Sequence, residues 1–341
     1  MKAYQIGTQK GLDSLSITER PDPIPGPGEV VVKVGSVCLN HRDMLIVSGQ
    51  YGPARSEERV PCSDGVGAVA AVGEGVTGLA PGDRVSCGHF TSWIDGAFTP
   101  AIFGADLGVS RDGWLSEKIV VPAAALTRLS DTITDDQAAT LAAAGLTAWH
   151  SVVEFGQVKA GDLVLALGTG GVSIFALQFA KMMGARVAIT SSSDEKLAEA
   201  RAMGADITIN YRTTPDWAAE LLQQTGQRGA DIIIETGGQA TLGQSIAAAA
   251  VNGRIVIIGA LAGAGDKAIP NFPTILGKNL VLRGITAGSQ AMYRRMLRAV
   301  EANGLTPCID RRFAFDDAPA AYAYLQTGGH LGKVMIEVSQ N

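Results

Sequence analysis

Cysteine is sparse in this 341-residue chain, and the four that occur, Cys38, Cys62, Cys87 and Cys308, form no CxxC pair. That excludes both a disulfide framework and the paired-cysteine knuckle of a structural zinc. No run of eighteen apolar residues exists to cross a membrane, and the N-terminal MKAYQIGTQKGLDS lacks the apolar stretch of a secretion signal. A cytoplasmic location is expected. Nor is there an excess of positive charge: the formal balance is -5, which gives no electrostatic reason for a nucleic-acid partner. A small or uncharged molecule suits such a chain better.

What the chain has in quantity is glycine, 42 residues, gathered at turns and strand ends where backbone must take φ > 0 or come close to another group. The length suggests two domains. Up to about residue 125, short β-like runs (Val30–Val34, Val66–Val72, Arg84–Val85, Lys118–Val121) are broken by Gly and Pro, the pattern of an irregular, mostly β domain. From Asp162 strands and helices alternate: LVLAL, a helix Val172–Met183, RVAIT, a helix Asp194–Met203, ADITINY, DIIIET and RIVIIG. Apolar runs of this kind between helices imply an α/β fold with a doubly wound parallel sheet. The tail beyond about residue 288 is too small to stand alone and is expected to return to the N-terminal domain. The aromatic-bearing segment from Gly88 to Gly113, with Phe90, Trp93, Phe98 and Phe103, reads as a long loop, the sort that walls a site.

The strand Leu163–Leu167 runs straight into Gly168-Thr169-Gly170-Gly171-Val172-Ser173 and then an apolar helix. This is the context a dinucleotide-binding glycine turn requires. Gly168 allows the tight turn, Gly170 lets backbone approach a pyrophosphate, and the helix N-terminus supplies N–H groups and positive dipole. Ser173 stands where a third glycine is usual. Roughly twenty residues on, an NAD site places an acid against the ribose 2′-OH, whereas this chain has Thr190-Ser191-Ser192-Ser193. Ser191, Ser192 and Lys196, with Tyr211 and Arg212 after the next strand, are candidates to hold a 2′-phosphate, which favours NADPH. Ser192 can also be read as a helix N-cap with Glu195 completing a capping box.

Several further motifs then fall into place: Gly73-Glu74-Gly75-Val76 with Pro81-Gly82-Asp83-Arg84-Val85, Ala144-Gly145-Leu146-Thr147-Ala148-Trp149, the glycine turn, and a terminal Gly332-Lys333-Val334. Together they resemble the medium-chain dehydrogenase/reductase superfamily, in its zinc-free quinone oxidoreductase and enoyl reductase branch. The resemblance implies a GroES-like catalytic domain from residues 1–130 and 288–341, a Rossmann domain over 131–287, and a homodimer. Zinc-dependent members carry three protein ligands. Registered on Asp43 and Ser48-Gly49, their positions hold Asn40, Ser63 (followed by Asp64) and Ala143 here, and alanine has no donor atom. An improvised site from Cys38, His41, Asp64 and His89 finds no support in spacing, so no metal is expected. Leu39-Asn40-His41-Arg42-Asp43 is similar to the LNFRD-type segment of enoyl reductase domains, with His41 where an aromatic is common. Tyr51, shortly after Ser48-Gly49, matches a candidate proton donor of that branch.

These residues suggest hydride transfer from C4 of NADPH to the β-carbon of a conjugated enone, enal or quinone, followed by protonation from Tyr51 or water. Asn40 would orient substrate or nicotinamide ribose. Thr147, Gly259, Ala260 and Thr286 would surround the nicotinamide, and Asp43 and Asp64 are further catalytic candidates, although Asp43 can equally serve as a structural partner of Arg42. Two alternatives stay open: a metal-free alcohol dehydrogenase or carbonyl reductase, and an NADPH-binding protein with little catalysis, acting as a redox sensor.

Overall fold

The computed structural model describes residues 1–259 and 271–339. The chain separates into two compact units, Met1–Leu146 with Gly288–Asn341, and Thr147–Ala287. Strands of the first unit are β1 (Lys2–Gln5), β2 (Ser16–Glu19), β3 (Glu29–Leu39), β4 (Asp64–Val72), β5 (Arg84–Ser86), β6 (Lys118–Pro122) and β7 (Thr127–Arg128). The second unit contributes β8 (Leu163–Leu167), β9 (Arg186–Ser191), β10 (Ile207–Asn210), β11 (Ala230–Glu235), β12 (Ala249–Ile257) and β13 (Val281–Gly284), after which β14 (Ile309–Ala314) and β15 (Lys333–Glu337) return to the first.

In the second unit the described strands form one parallel sheet in the order β10-β9-β8-β11-β12-β13. Its central strand is apolar throughout, and all five residues of β8 are buried. A strand covered on both faces can have no polar alternation, which is why LVLAL reads as a continuous run. Strand order reverses on the two sides of β8, and a crevice at the carboxyl ends of strands at such a switch point is where this architecture receives ligands.

The first unit is antiparallel around β3. This eleven-residue strand pairs with β4 over most of its length, with β6 along its first half and with β15 along its second, where Leu39 faces Val334 and Ser36 faces Glu337. The C-terminal tail therefore does return to the N-terminal segment, by supplying an inner strand. Two register shifts, at Val31/Val32 and Val34/Ser36, bend β3.

The boundary between the units differs from the one expected at residue 131. Residues 131–146 belong to the first unit. Thr134 caps the helix Asp135–Thr140 by accepting the Gln137 N–H at 3.2 Å while the Gln137 side chain accepts the Thr134 N–H at 2.8 Å. That helix is tied to the β sheet: Arg84 Nε donates to Asp135 at 3.0 Å, and Ser86 Oγ and Tyr293 OH both donate to Ala138 O, at 3.4 and 3.3 Å. Among the described residues no helix is long and apolar enough to cross a membrane.

Gly67 lies where β4 crosses the bend of β3, and a Cβ there would meet Lys33 O at 2.1 Å and Val32 Cγ1 at 2.8 Å. Backbone on one side and a core valine on the other leave nothing flexible to give way. Gly67→Ala is expected to cost about 1–3 kcal/mol or more, read as a lowered urea midpoint. A midpoint equal to that of the parent chain would mean that the two strands separate freely at this crossing.

Candidate functional site

Gly168 takes φ +77 at the end of β8, and neither it nor Gly170 would set a Cβ against any atom within 4 Å. The turn is thus an open cradle that a side chain would partly fill. Gly170 caps the helix Gly171–Met182 without a side-chain bond, leaving the N–H groups of Gly171, Val172 and their neighbours as the donors of a helix N-terminus. Ser173 replaces the third glycine at no loss of closeness: it is buried and its hydroxyl donates to Leu167 O at 2.7 Å. Thr236 donates to the same carbonyl at 3.0 Å, and Gly168 N donates to Thr190 Oγ1 at 3.3 Å. Thr169 is buried. The residues present fit a dinucleotide pyrophosphate.

Beneath the adjoining turn lies a carboxylate that sequence reasoning passed over. Glu235 is fully buried at the end of β11 and accepts from Gly237 N (2.8 Å), Gly238 N (2.9 Å), Thr241 Oγ1 (2.6 Å) and Ser245 Oγ. Four donors meet its charge, fixing the start of the helix Gln239–Ala248. The signal available in sequence was a charged residue ending the apolar run DIIIE.

At the end of β9 the N-cap is Ser193, not Ser192. Its Oγ accepts the Lys196 N–H at 3.3 Å and donates to the Glu195 carboxylate at 2.5 Å. Ser192 is thereby released from capping duty. Ser191 is buried, with its Oγ accepting Ser193 N–H at 3.3 Å and its carbonyl accepting Tyr211 N–H at 3.0 Å. The Tyr211 side chain is exposed, as is Arg212, whose N–H donates to Asn210 Oδ1 at 3.0 Å. The five candidate residues for the ribose end thus belong to the two segments leaving β9 and β10, which pair in parallel. No acid occupies the last residue of β9, although Asp194 follows nearby and takes the Asn210 amide at 2.8 Å. Thr147 is buried and its carbonyl accepts Ser151 Oγ at 2.6 Å, while Gly259 and Thr286, just beyond β12 and β13, are half-buried. Ala260 lies outside the described residues.

In the first unit, the three positions registered with metal ligands are joined by hydrogen bonds. Lys333, buried on β15, donates to Asn40 Oδ1 at 2.6 Å and to Leu39 O at 2.8 Å. Asn40 Nδ2 donates to Ser63 Oγ at 3.3 Å, Ser63 Oγ donates to Asp64 Oδ1 at 2.6 Å, and Asp64 Oδ2 accepts the Ala143 N–H at 2.9 Å. Leu141–Gly145 is wound as a π-helical turn, a rare form that often marks functional sites. An amide, a hydroxyl already engaged and an alanine make no tetrahedral zinc site, and the described residues contain no group of three His, Cys, Asp or Glu able to hold a metal. Zinc does not fit.

Asp43 sits at the third position of the helix His41–Val47 and accepts the Asn40 N–H at 2.7 Å, the returning half of a capping box. Its ion partner is not Arg42. That guanidinium donates instead to Asp106 at 2.8 Å and lies 2.7 Å from His89 Nδ1, with His89 Nδ1 itself 2.8 Å from Asp106. Burial opposes the charge on Asp106, yet Arg42 and His89 hold its carboxyl below the usual range. Arg42 also faces the Tyr51 ring, 5.3 Å from its centroid, and Arg55 does so at 5.5 Å. The segment Gly88–Gly113 is more ordered than a plain loop. It contains a 3-10 turn at Pro100–Ala105 and a closed ring of aromatic contacts joining Phe90, Trp93, Phe98 and Phe103, three of them edge-on and the Phe90–Trp93 pair tilted, with Phe98 and Phe103 exposed.

Residues 26–131 match the family described as alcohol dehydrogenase GroES-like domain, and residues 171–302 the family described as zinc-binding dehydrogenase. A zinc-type alcohol dehydrogenase-like protein of Schizosaccharomyces pombe is 43% identical over 96% of each chain. Among solved structures, an NAD-dependent alcohol dehydrogenase superposes with TM-score 0.89 at 34% identity, covering 99% of this chain and 100% of the other. A quinone oxidoreductase of Pseudomonas syringae pv. Tomato DC3000 gives 0.83 at 29%, covering 99% of both. A mycobacterial protein solved in complex with NADPH gives 0.82 at 26%, covering 99% and 100%. Fold and glycine turn define an oxidoreductase that uses a nicotinamide cofactor and is built of a GroES-like unit and a Rossmann unit. The chain belongs to the medium-chain dehydrogenase/reductase superfamily.

Burial pushes the Asp43 carboxyl up to about 7, against the pull of Arg42 and the Asn40 N–H and with a further push from Asp64. The unfolded chain ionises this group near pH 3.9, so between about pH 4 and about pH 7 the native form binds more protons than the unfolded one. Stability contributed by protonated Asp43 is complete below that window and is lost as pH rises through it. Asp43→Asn should flatten the fall in unfolding free energy across this window, by up to about 4 kcal/mol, in urea titrations at several pH values. An unchanged slope in the variant would assign the pH dependence elsewhere.

Proposed function

We propose that this protein is an NADPH-dependent, zinc-independent reductase of conjugated enones, enals or quinones. The observation that carries the reading is the hydrogen-bonded chain from Lys333 through Asn40, Ser63 and Asp64 to the Ala143 N–H, where a metal-dependent relative would need donor atoms. Reduction of an isolated carbonyl builds charge on one oxygen, which demands a strong Lewis acid or a dedicated set of donors. Addition to a conjugated system spreads that charge into an enolate and asks less of the protein. The likeness to a solved quinone oxidoreductase supports the same reaction class.

NADPH supplies the hydride when bound. In this reading Gly168, Thr169, Gly170, Gly171 and Val172 hold the pyrophosphate. Ser191, Ser192, Lys196, Tyr211 and Arg212 take the 2′-phosphate, and Thr147, Gly259 and Thr286 border the nicotinamide. Asn40 orients the acceptor through its amide, Asp64 keeps Ser63 and the Ala143 turn in place, and Asp43 fixes the helix start from which Asn40 projects. Tyr51 donates the proton. No described hydrogen bond engages its hydroxyl, and its ring is flanked by Arg42 and Arg55.

Because one relative is NAD-dependent and another was solved with NADPH, the cofactor is settled by kcat/KM for NADPH and NADH with a simple enal. NADPH should be preferred by about tenfold or more, the usual worth of a matched phosphate contact, and the product should be the saturated aldehyde. An NADH preference refutes the cofactor assignment, and an allylic alcohol as product moves the activity to C=O reduction. Replacing Tyr51 by Phe should lower kcat on the order of 10²–10⁴-fold; full retention of kcat removes Tyr51 from the mechanism.

A further inference from the structure

Arg55 lies on the segment that follows the helix His41–Val47, and it is a cation without an anion. Its Nη1 donates to Pro53 O at 2.9 Å and its Nη2 to Tyr51 O, both neutral carbonyls, while its Nε is buried with no partner. No carboxylate among the described residues forms an ion pair with it. Three other arginines of this unit are matched: Arg42 by Asp106 at 2.8 Å, and Arg59 and Arg20 by Asp112 at 2.8 and 3.4 Å. Glu57 and Glu58, the acids of the same segment, are exposed to solvent.

The position is built and not incidental. Gln9, itself 8% exposed, grips both backbone groups of Arg55, its Nε2 donating to Arg55 O at 2.8 Å and its Oε1 accepting Arg55 N–H at 3.1 Å. Gly49, at φ +67, lets that strand of chain close in, since a Cβ there would meet Gln9 O at 2.8 Å. Burial, and next the repulsion of Arg42, lower the pKa of Arg55. A half-buried guanidinium beside a like charge, met within contact distance among the described residues only by two carbonyl oxygens and the face of the Tyr51 ring, is a place where an incoming anion would be favoured. Each terminal nitrogen keeps one further N–H beyond its carbonyl bond, a pair of donors of the kind that binds a carboxylate or phosphate.

We infer that Arg55 is a specificity residue that receives an anionic group, a carboxylate or a phosphate, carried by the electrophilic substrate a few bonds from the carbon protonated by Tyr51. The inference rests on the proposed reading in which Tyr51 faces the substrate. It also qualifies the expectation of a small or uncharged substrate drawn from the overall charge of the chain, because two guanidinium groups flank the Tyr51 ring and one of them has no carboxylate partner among the described residues.

The test pairs trans-3-benzoylacrylate with its ethyl ester, one conjugated core with and without the charge, using NADPH. The parent protein should favour the acid by about tenfold or more in kcat/KM, mainly through KM, and high salt should erode that preference. In Arg55→Gln the acid-to-ester ratio should fall to about one, and Arg55→Lys should keep part of it. Acetate and inorganic phosphate as competitive inhibitors of the parent tell which anion the fork prefers. A parent protein indifferent to the charge, or a ratio untouched in Arg55→Gln, overturns the inference. Should neither compound be reduced, the proposed function falls but this inference is still decided by calorimetry with the saturated 3-benzoylpropionate. Binding about tenfold weaker in a folded Arg55→Gln sustains it, and equal binding ends it.

Discussion

A carboxylate taken out of water has to be met by donors, and in this protein the donors that meet Asp64 decide how four separate pieces of chain come together. Ser63 and the Ala143 N–H satisfy its two oxygens, Asn40 reaches Ser63, and Lys333 reaches Asn40. The end of β3, the approach to β4, the π-helical turn at Leu141–Gly145 and the start of β15 are joined by this one run of bonds. Metal coordination would gather such segments by pulling three lone pairs onto one ion. Here the same gathering is achieved by alternating donors and acceptors, and every member depends on the next: a break leaves a buried charge without a partner, a costly state.

The parts of this architecture that were legible in the sequence are those set by local physics. A buried parallel strand, a glycine turn and an apolar helix follow one another within twenty residues or so, and each constrains its neighbour, so β8 and its turn could be read directly. Tertiary partners could not. Arg42 and Asp43 are adjacent in sequence, yet successive helical residues point in different directions, and Arg42 finds Asp106, 64 residues away, instead. The cap at Ser193 was missed by one residue because the turn out of β9 is one residue longer than the hydroxyl run alone reveals. The boundary expected at residue 131 fell too early because the helix Asp135–Thr140 is held by Arg84, Ser86 and Tyr293, none of them nearby in sequence.

Charge shows the same division between global and local. A formal balance of -5 describes how the whole molecule looks from a distance, beyond the screening length of physiological salt. Within a few ångströms of Tyr51 the balance is different: two guanidinium groups flank the ring, one bound to Asp106 and the other to carbonyl oxygens alone. Composition limits the large partners a protein can attract, but the sign of the field at a reacting atom is set by which side chains the fold brings there.

That β15 is an inner strand of the first sheet has a consequence for the order in which the molecule is made. The nucleotide-binding unit is continuous from Thr147 to Ala287, so its described sheet can be completed while the ribosome is still translating the remainder. The first unit has no such independence. Half of β3 keeps an unpaired edge, and Asn40 lacks its lysine, until residues 333–337 emerge and Leu39 can face Val334. An exposed strand edge invites pairing with other chains, and domains generally fold as units in the order they are made. Within this chain the first unit is therefore started before the nucleotide-binding unit and completed after it, and its vulnerable interval is the time taken to synthesise residues 147–287.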